Sequence, residues 1–312
     1  MDLVTRPFAV GMRIPFRGVT ERAGVLIKGP HGWGEFSPFP EYGPEVAARW
    51  FEATLEAATR AWPEPRREVI PVNVTVPAIE PDAAHALVAS SGCTTAKVKV
   101  GTDGDVARVE AVRDALGPHG HLRVDANAAW DVDEAQRAIR DLARFDLEYV
   151  EQPVADLDDM ALLRRRIDVP LAADESVRTA DDPLRIAGLG AADVVVLKVQ
   201  PLGGVHKALA VADAGGLPVV VSSALETSVG IAAGVALAAA LPDLPYACGL
   251  GTVSLLSGDV VADPLVPRDG FLEVRRPEVD DGALQSHEPD ESRRGELLAR
   301  LEAARRTLGE RV

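Results

Sequence analysis

Short apolar runs alternate with amphipathic stretches through the middle of the chain. Their first residues lie 22 to 29 positions apart, about the length of one strand, one helix and two short loops. The stretches between them, such as DVARVEAVRDALG and DVDEAQRAIRDLARF, have the period of helices. The pattern predicts a closed parallel (β/α) barrel. The eight runs are VNVTV (72–76), AKVKV (96–100), LRVDA (122–126), EYVEQ (148–152), PLAADE (170–175), VVVLKV (194–199), PVVVSSA (218–224) and ACGLGT (247–252).

An open, doubly wound sheet is the alternative fold. Such a sheet usually has fewer units and a glycine-rich phosphate-binding turn after its first strand, and VNVTVPAIEPD contains no such turn. We therefore expect a barrel over residues 73–268.

The two ends of the chain differ from this middle region. Residues 1–72 mix short apolar runs with turn signals, and the prolines and glycines of Gly29–Glu45 predict an ordered loop. A helix is predicted over 49–60. Residues 269–312 are rich in charge, and their leucines predict a terminal helix with one apolar stripe: Leu297, Leu298, Leu301 and Leu308.

Composition narrows the class of protein. Lys and Arg number 33 against 48 Asp and Glu, a net charge of −15, which argues against partners such as nucleic acid or an anionic membrane surface. The longest nearly uncharged apolar run, Val229–Leu241, is too short to span a bilayer, which needs about 18 residues. The first residues do not resemble a signal peptide. Two cysteines, Cys93 and Cys248, fit a reducing compartment, so we expect a cytoplasmic protein with both thiols buried.

Charged side chains interrupt the apolar strands near their carboxyl ends, where barrel enzymes place their sites. A lone lysine there is usually a solvated terminus, and a lone aspartate is usually a helix cap. Three carboxylates on successive strands, flanked by lysines, are different, because burying them unpaired costs several kcal/mol each. A divalent cation removes that cost, and oxygen ligands favour Mg²⁺ or Mn²⁺ over Zn²⁺. The residues concerned are Lys97, Lys99, Asp125, Asn127, Glu151, Asp174, Glu175 and Lys198.

These motifs, in this order, resemble the enolase superfamily and its muconate-lactonizing subgroup. They are K-x-K at 97–99, D-x-N at 125–127, E-Q-P at 151–153, D-E-S at 174–176 and a lone Lys198. The resemblance implies a modified TIM barrel, (β/α)7β, over 73–268, with an α+β capping domain built from 1–72 plus 269–312. Within the subgroup, the segment starting FRGVTERAG and VSSALETSVG (221–230) resemble the o-succinylbenzoate synthases of the actinobacterial type.

That resemblance implies a substrate, a cofactor and a set of roles. The reaction is the Mg²⁺-dependent syn dehydration of a small carboxylate, 2-succinyl-6-hydroxy-2,4-cyclohexadiene-1-carboxylate, to 2-succinylbenzoate in menaquinone biosynthesis, through an ene-diolate. Mn²⁺ is a possible substitute. The implied roles are metal ligands at Asp125, Glu151 and Asp174, a general base at Lys99, a cation on the opposite face at Lys198, and a carboxylate contact at Lys97.

Other substrate contacts carry alternatives. Asn127 and Arg123 share one R-x-D-x-N run and are expected to support the site. Ser222 and Ser223 either bond the succinyl tail or form a simple turn. The glycines of the eighth run, Gly249 and Gly251, either let substrate approach the backbone or form a tight barrel corner. The loop of residues 32–43 is expected to act as a lid that excludes water and contacts the substrate, and Asp193, at the other end of the barrel, is expected to be structural.

Three rival functions remain. On the same scaffold, an N-succinylamino acid racemase or dipeptide epimerase would use Lys99 and Lys198 as two bases on opposite faces of one carbon. A zinc hydrolase would use His119 and His121, but both precede the third strand and so lie at the wrong end of a barrel. A barrel that only binds a metal or an acid would have no need of opposed lysines.

Overall fold

The N-terminal segment forms a small antiparallel sheet. The structure, a computed structural model, describes residues 4–16, 18–177 and 182–310. Strands β1 (Val4–Phe16), β2 (Val19–Gly29) and β3 (Gly32–Phe36) pair in that order, and helix α1 (Pro44–Thr59) follows.

The prediction of a loop over Gly29–Glu45 is wrong for its first half, because Gly32–Phe36 form strand β3. Phe36 pairs with Val25 of β2, and a Cβ at Gly34 would lie 2.1 Å from the carbonyl oxygen of Thr54. The glycines therefore serve close packing of the strand on α1 rather than a turn. The loop itself spans residues 37–43.

Seven parallel strands form the central sheet, as the spacing predicts. Each strand lies beside the one that precedes it in the chain, so the sheet order follows the chain order. The strands are β5 (Val74–Val76), β6 (Thr95–Lys99), β7 (His121–Asp125), β8 (Leu147–Glu151), β9 (Leu171–Ala173), β10 (Val194–Leu197) and β11 (Val219–Val221). Before them, β4 (Val69–Pro71) pairs with β12 (Phe271–Glu273) near the C-terminus.

The eighth predicted strand is reduced to two residues that close the ring. Cys248 bridges to Val72 beside β5, and Gly249 bridges to Ser222 beside β11. A 3₁₀ helix (Gly251–Leu255) follows at once. Glycines weaken a strand, which explains why ACGLGT pairs only locally. The modified-barrel fold is confirmed.

Helices connect the strands and cover the outside of the barrel. Helix α4 begins with a capping box between Asp131 and Glu134, and a short 3₁₀ turn (Ala143–Phe145) follows it. The all-buried α9 packs between the barrel and β3. The helices are α2 (Pro81–Ser91), α3 (Asp105–Leu116), α4 (Val132–Leu142), α5 (Leu157–Arg164), α6 (Asp182–Leu189), α7 (Val199–Leu202), α8 (Val205–Gly215), α9 (Ser228–Ala240) and α10 (Asp281–Gln285).

The charged tail ends in α11 (Glu291–Gly309), which packs on α1. Leu297 and Leu301 are buried in one cluster with residues of α1 and β2, Leu308 is partly buried against it, and Leu298 is exposed. Three of the four leucines of the predicted stripe thus face the N-terminal segment. The boundaries proposed at residues 72 and 269 stay predictions.

Two expectations about the whole chain can be compared with the structure. Both cysteines are buried and free. Among the described residues, no helix combines the length and apolar character that crossing a bilayer requires.

A buried carboxylate joins the small sheet to the barrel. Glu35, on β3, is 1% exposed. Its oxygens accept hydrogen bonds from Thr227 Oγ1 at 2.6 Å, the Gly230 amide at 3.0 Å and Ser37 Oγ at 2.7 Å. Thr227 is the N-cap of α9, so Glu35 lies at the positive end of that helix. Burial nevertheless raises the pKa of Glu35 to about 7.

This raised pKa predicts a pH-dependent loss of stability. Because the folded protein holds the Glu35 proton more tightly than the unfolded chain, the contribution of Glu35 to stability is greatest below about pH 4.5 and is lost as the pH rises through about 7. The wild type should lose about 3 kcal/mol over that range relative to Glu35→Gln. Urea unfolding of both proteins across pH measures the difference. An exposed-site control, Glu64→Gln, should follow the wild type, and parallel curves for Glu35→Gln and the wild type would contradict the prediction.

Candidate active site

The register of three strands places charged side chains in one layer at the carboxyl ends. Lys99 of β6 lies level with Asp125 of β7, which lies level with Glu151 of β8. All three are buried. Strands of a parallel sheet present alternate residues to the same face, so this layer lies inside the ring.

Two lysines of β6 bind the carboxylates of the neighbouring strands. Lys97 Nζ donates to Glu151 Oε1 at 2.6 Å and lies 3.2 Å from Asp125 Oδ2. Lys99 Nζ donates to Asp125 Oδ2 and to Asn127 Oδ1. The K-x-K motif therefore supplies one ammonium to each of two carboxylates.

Lys198 stands on the opposite wall. It follows β10, the sixth of eight positions in the ring, whereas Lys99 ends β6, the second. Its Nζ donates to Asp174 Oδ2 at 2.5 Å. Lys99 and Lys198 line the same cavity from two sides, which is the arrangement that the sequence predicts.

The buried charges shift one another's pKa values. Burial lowers the pKa of Lys99 below its ordinary value, and Lys97 adds to this while Asp125 opposes it. Burial acts in the same direction on Lys97, but Glu151 and Asp125 bring the pKa of Lys97 well above its ordinary value. Of the two lysines of β6, Lys99 is therefore the one able to become a neutral amine and act as a base.

The carboxylates also differ. Burial would raise the pKa of Asp125, but Lys99 and Lys97 hold it well below its usual range. Burial and the Asp125 charge raise the pKa of Glu151 to about 8. Without a further positive charge beside it, Glu151 is thus a weaker acid than Asp125.

Backbone strain is concentrated where the strands end. Asn127, Ala128, Gln152 and Leu225 all adopt a left-handed conformation, with φ of 47°, 59°, 36° and 63°. Side chains other than glycine rarely adopt it, and such strain persists where surrounding contacts enforce it. Asn127 shows those contacts. Its Oδ1 accepts a hydrogen bond from Lys99 Nζ, and its Nδ2 donates to Glu175 Oε1 at 3.0 Å.

The lysines open onto a cavity of about 720 Å³, measured to its open mouth. The barrel supplies its polar floor, which includes Lys97, Lys99, Lys198, Asp125 and Asn127. The N-terminal segment supplies a largely apolar roof, which sequence reasoning did not resolve into residues: Phe16, Val19, Phe39, Glu41 and Tyr42. Within the lid expected over 32–43, only residues of the 37–43 half line the cavity, and the closing role of this loop stays a prediction.

The serines and glycines of the seventh and eighth runs differ in whether they line this cavity. Ser222 and Ser223 line the cavity, and so does Gly249. A Cβ at Gly249 would lie 2.5 Å from Ser222 Oγ, so a side chain there would displace the Ser222 hydroxyl. Gly251 lies outside this cavity, and a Cβ there would lie 3.0 Å from the carbonyl oxygen of Asn73.

Arg123 also lies outside the cavity lining. It shares a layer with Lys97, but its guanidinium binds Glu148 Oε2 at 2.5 Å and the Ala247 carbonyl oxygen at 2.7 Å. It also lies 4.8 Å from the ring centroid of Tyr149 and is fully buried. In this structure Arg123 fills the lower barrel and does not reach the site.

The residues at the other end of the barrel behave as the sequence indicates. Asp193 binds Arg164 and the Leu171 amide. His119 is exposed, and His121 at the start of β7 lies 3.4 Å from Glu148. Neither histidine lines the cavity, so the zinc hydrolase lacks the histidine ligands that it would use there.

Three carboxylates at the strand ends have the oxygen ligands that a divalent ion such as Mg²⁺ prefers. Asp125, Glu151 and Asp174 end or follow three adjacent strands, and Glu151 Oε2 is buried with no hydrogen-bond partner among the described residues. Within the same residues, no three carboxylate, imidazole or thiol groups converge closely enough to hold an ion as they stand, because each of these carboxylates binds a lysine. The ligand assignment stays a prediction.

The position of Arg123 generates a test of the expected substrate contact. Arg123→Met should lower the free energy of unfolding by about 3 to 5 kcal/mol, because it leaves Glu148 partly buried without its partner. KM for the substrate should stay within about twofold of the wild type. Urea unfolding and steady-state kinetics measure the two effects. A large rise in KM at unchanged stability would restore the binding role that the R-x-D-x-N run suggests.

Comparison with known proteins agrees with this architecture. The family model described as "Enolase C-terminal domain-like" matches residues 81–280, and "Enolase N-terminal domain-like" matches residues 8–58. Among solved structures, muconate lactonizing enzyme from Pseudomonas fluorescens superposes with a TM-score of 0.81 at 24% identity, covering 92% of this chain and 98% of that one. N-succinyl Arg/Lys racemase from Bacillus cereus superposes with a TM-score of 0.79 at 22% identity, covering 92% and 97%.

Relatives found by sequence have a much higher identity to this chain than these solved structures. The o-succinylbenzoate synthase of Thermobifida fusca is 62% identical over 305 residues, which are 96% of this chain and 95% of that protein. The o-succinylbenzoate synthase of Mycolicibacterium smegmatis is 50% identical over 292 residues, 90% and 89% of the two chains. The chain therefore belongs to the enolase superfamily and, within it, to the o-succinylbenzoate synthase family.

Proposed function

We propose that this protein is an o-succinylbenzoate synthase, which dehydrates 2-succinyl-6-hydroxy-2,4-cyclohexadiene-1-carboxylate to 2-succinylbenzoate and water. The observation that carries the proposal is a pair of lysines, Lys99 and Lys198, on opposite walls of one roofed cavity, in a chain 62% identical to a protein of that name. The substrate class, a small carboxylate, fits a cavity with three ammonium groups on its floor.

Lys99 is the general base and then the general acid. Its burial lowers its pKa, and Asn127 Oδ1 together with Asp125 orients its amine. It removes the ring proton beside the carboxylate, the C–O bond breaks on the same face, and the departing hydroxyl takes that proton from Lys99 to form water. The ring becomes aromatic, and Lys99 returns to its starting state.

Lys198 needs to move no proton in this reaction. From the opposite wall its ammonium can lie against the other face of the forming ring, an attraction of about 2 kcal/mol when desolvated. Lys97 keeps its proton because its pKa is raised, so it serves as a fixed positive charge beside the substrate carboxylate.

Asp125, Glu151 and Asp174 are the residues that would hold a divalent ion. When bound, Mg²⁺ supplies positive charge where negative charge develops on the substrate carboxylate. A bound ion would also remove the repulsion that raises the pKa of Glu151 and would give its Oε2 a partner.

The first test removes the base. Lys99→Ala should lower kcat by about 10³-fold or more, because no other amine of this wall has a lowered pKa. Formation of 2-succinylbenzoate, followed by absorbance, measures the rate, and the surface variant Lys207→Ala is the matched control.

Two outcomes would reject this function. Full activity of Lys99→Ala would mean that the cavity binds without catalysing. Racemisation of N-succinyl amino acids by the wild type, faster by orders of magnitude than the dehydration, would assign the protein to the racemase alternative.

The second test concerns the metal. Chelation should abolish turnover, and Mg²⁺ at 100 times its dissociation constant should stabilise the wild type by about 2.7 kcal/mol. Glu151→Gln should lose most of this stabilisation, whereas Asp193→Asn, a carboxylate at the other end of the barrel, should keep it. Thermal unfolding with and without Mg²⁺ measures the shift. An undiminished shift in Glu151→Gln would exclude Glu151 as a ligand.

A further inference from the structure

Two arginines from opposite ends of the chain hold the loop that roofs the cavity. This lid loop, residues 37–43, contributes Phe39, Glu41 and Tyr42 to the cavity lining. It has no regular structure. Phe39 makes edge-on contacts with Tyr42 and with Trp50 of α1, Tyr42 makes a tilted contact with Trp50, and the Tyr42 amide donates to the Phe39 carbonyl oxygen.

Arg22 reaches the lid loop from β2. Its guanidinium donates to the carbonyl oxygen and hydroxyl of Ser37 and to the Leu225 carbonyl oxygen at 3.1 Å. It also stacks 4.3 Å from the ring centroid of Phe39. Leu225 is one of the strained residues and lines the cavity. One buried side chain thus ties the lid loop to the loop that follows β11.

Arg300 reaches the same loop from α11. Its two terminal nitrogens donate to the carbonyl oxygens of Pro38 at 2.9 Å, Phe39, and Tyr42 at 2.9 Å. Together the two arginines engage four carbonyl oxygens of the seven-residue loop. Among the described residues, neither guanidinium lies within ion-pair distance of a carboxylate, although Glu35, Glu226 and Glu41 act on Arg22, and Glu41 on Arg300, at longer range. The hydrogen bonds of both guanidiniums therefore go mainly to carbonyl oxygens.

We propose that Arg22 and Arg300 are positioning residues for substrate affinity. They orient the peptide planes of the lid loop so that its aromatic side chains face the substrate and its carbonyl oxygens face the guanidiniums. Carbonyl oxygens exposed to the cavity would repel a substrate that carries two carboxylates. The planar guanidinium is suited to this role because it spans several acceptors at fixed angles, which an ammonium cannot do.

This role rests on the proposed function, and it predicts a particular kinetic signature. The lid loop touches neither the Lys99 amine nor the carboxylates of the floor through any described hydrogen bond. It should therefore bind substrate and transition state alike, so loosening it raises KM and leaves kcat nearly unchanged.

The experiment compares arginine variants in the full-length, Mg²⁺-loaded protein. Arg300→Met, which keeps the apolar stem of the side chain, should raise KM about tenfold with kcat within about twofold. Binding of the product 2-succinylbenzoate, measured by calorimetry, should weaken by the same factor. Arg300→Lys should recover only part of the loss. Because Arg22 is buried, Arg22→Lys is preferred to a neutral variant, and its effect should combine with Arg300→Met less than additively.

Arg113 provides the matched control. It also donates to several backbone carbonyl oxygens, those of Phe145, Gly117, Gly120 and Asp146, but it lies outside the cavity lining. Arg113→Met should lower the melting temperature without changing KM. A fall in kcat at constant KM and constant product affinity in the Arg300 and Arg22 variants would show a merely structural role and overturn the proposal, as would no change in any parameter.

The two proposals fail separately. Absence of wild-type turnover on the cyclohexadiene acid rejects the function, whereas the arginines are judged by the ratio of variant to wild type. If the wild type instead racemises N-succinyl amino acids, the same ratio of KM values with that substrate decides whether the arginines position the lid loop.

Discussion

Burial of several charges in one layer of the barrel is the constraint on which the site depends. A single buried ion is costly, and removing the partner of a buried ion costs several kcal/mol. The layer that contains Lys99, Asp125 and Glu151 avoids that cost by alternating ammonium and carboxylate groups on adjacent strands. The same alternation separates the pKa values of chemically similar groups, so that Lys97 keeps its proton while Lys99 can release it.

Two residues of one layer bind partners at opposite ends of the barrel. Lys97 and Arg123 are level in the sheet, and both are buried. Lys97 extends upward to Glu151, whereas Arg123 extends downward to Glu148, where two tyrosine rings flank its guanidinium. The lower barrel is thus filled by a cation and aromatic rings rather than by aliphatic residues alone, and the catalytic layer rests directly on this support.

The barrel and its strand-end charges could be predicted because both are local signals. A strand, a helix and two loops repeat at a steady interval, and a two-residue spacing such as that of Lys97 and Lys99 selects one face. Features that depend on distant packing could not be predicted. Strand β3 forms among glycines because α1 lies against it, the eighth strand shrinks to two bridges, and Arg123 turns away from the site. Turn signals around Phe39 predict a loop there, but they do not show which of its side chains line the cavity.

The roof of the cavity depends on contacts between residues that are far apart in the sequence. The lid loop lies between Arg22 and Arg300, and the hydrogen bond from Arg300 to the Pro38 carbonyl oxygen joins residues 262 positions apart in sequence. The barrel can bring its lysines and carboxylates together through neighbouring strands, but the roof needs both ends of the chain in place. A contact of such separation closes a long loop and therefore carries a loop-closure cost in chain entropy. The catalytic floor is therefore a product of local repetition, whereas the roof of the cavity depends on contacts between the two ends of the chain.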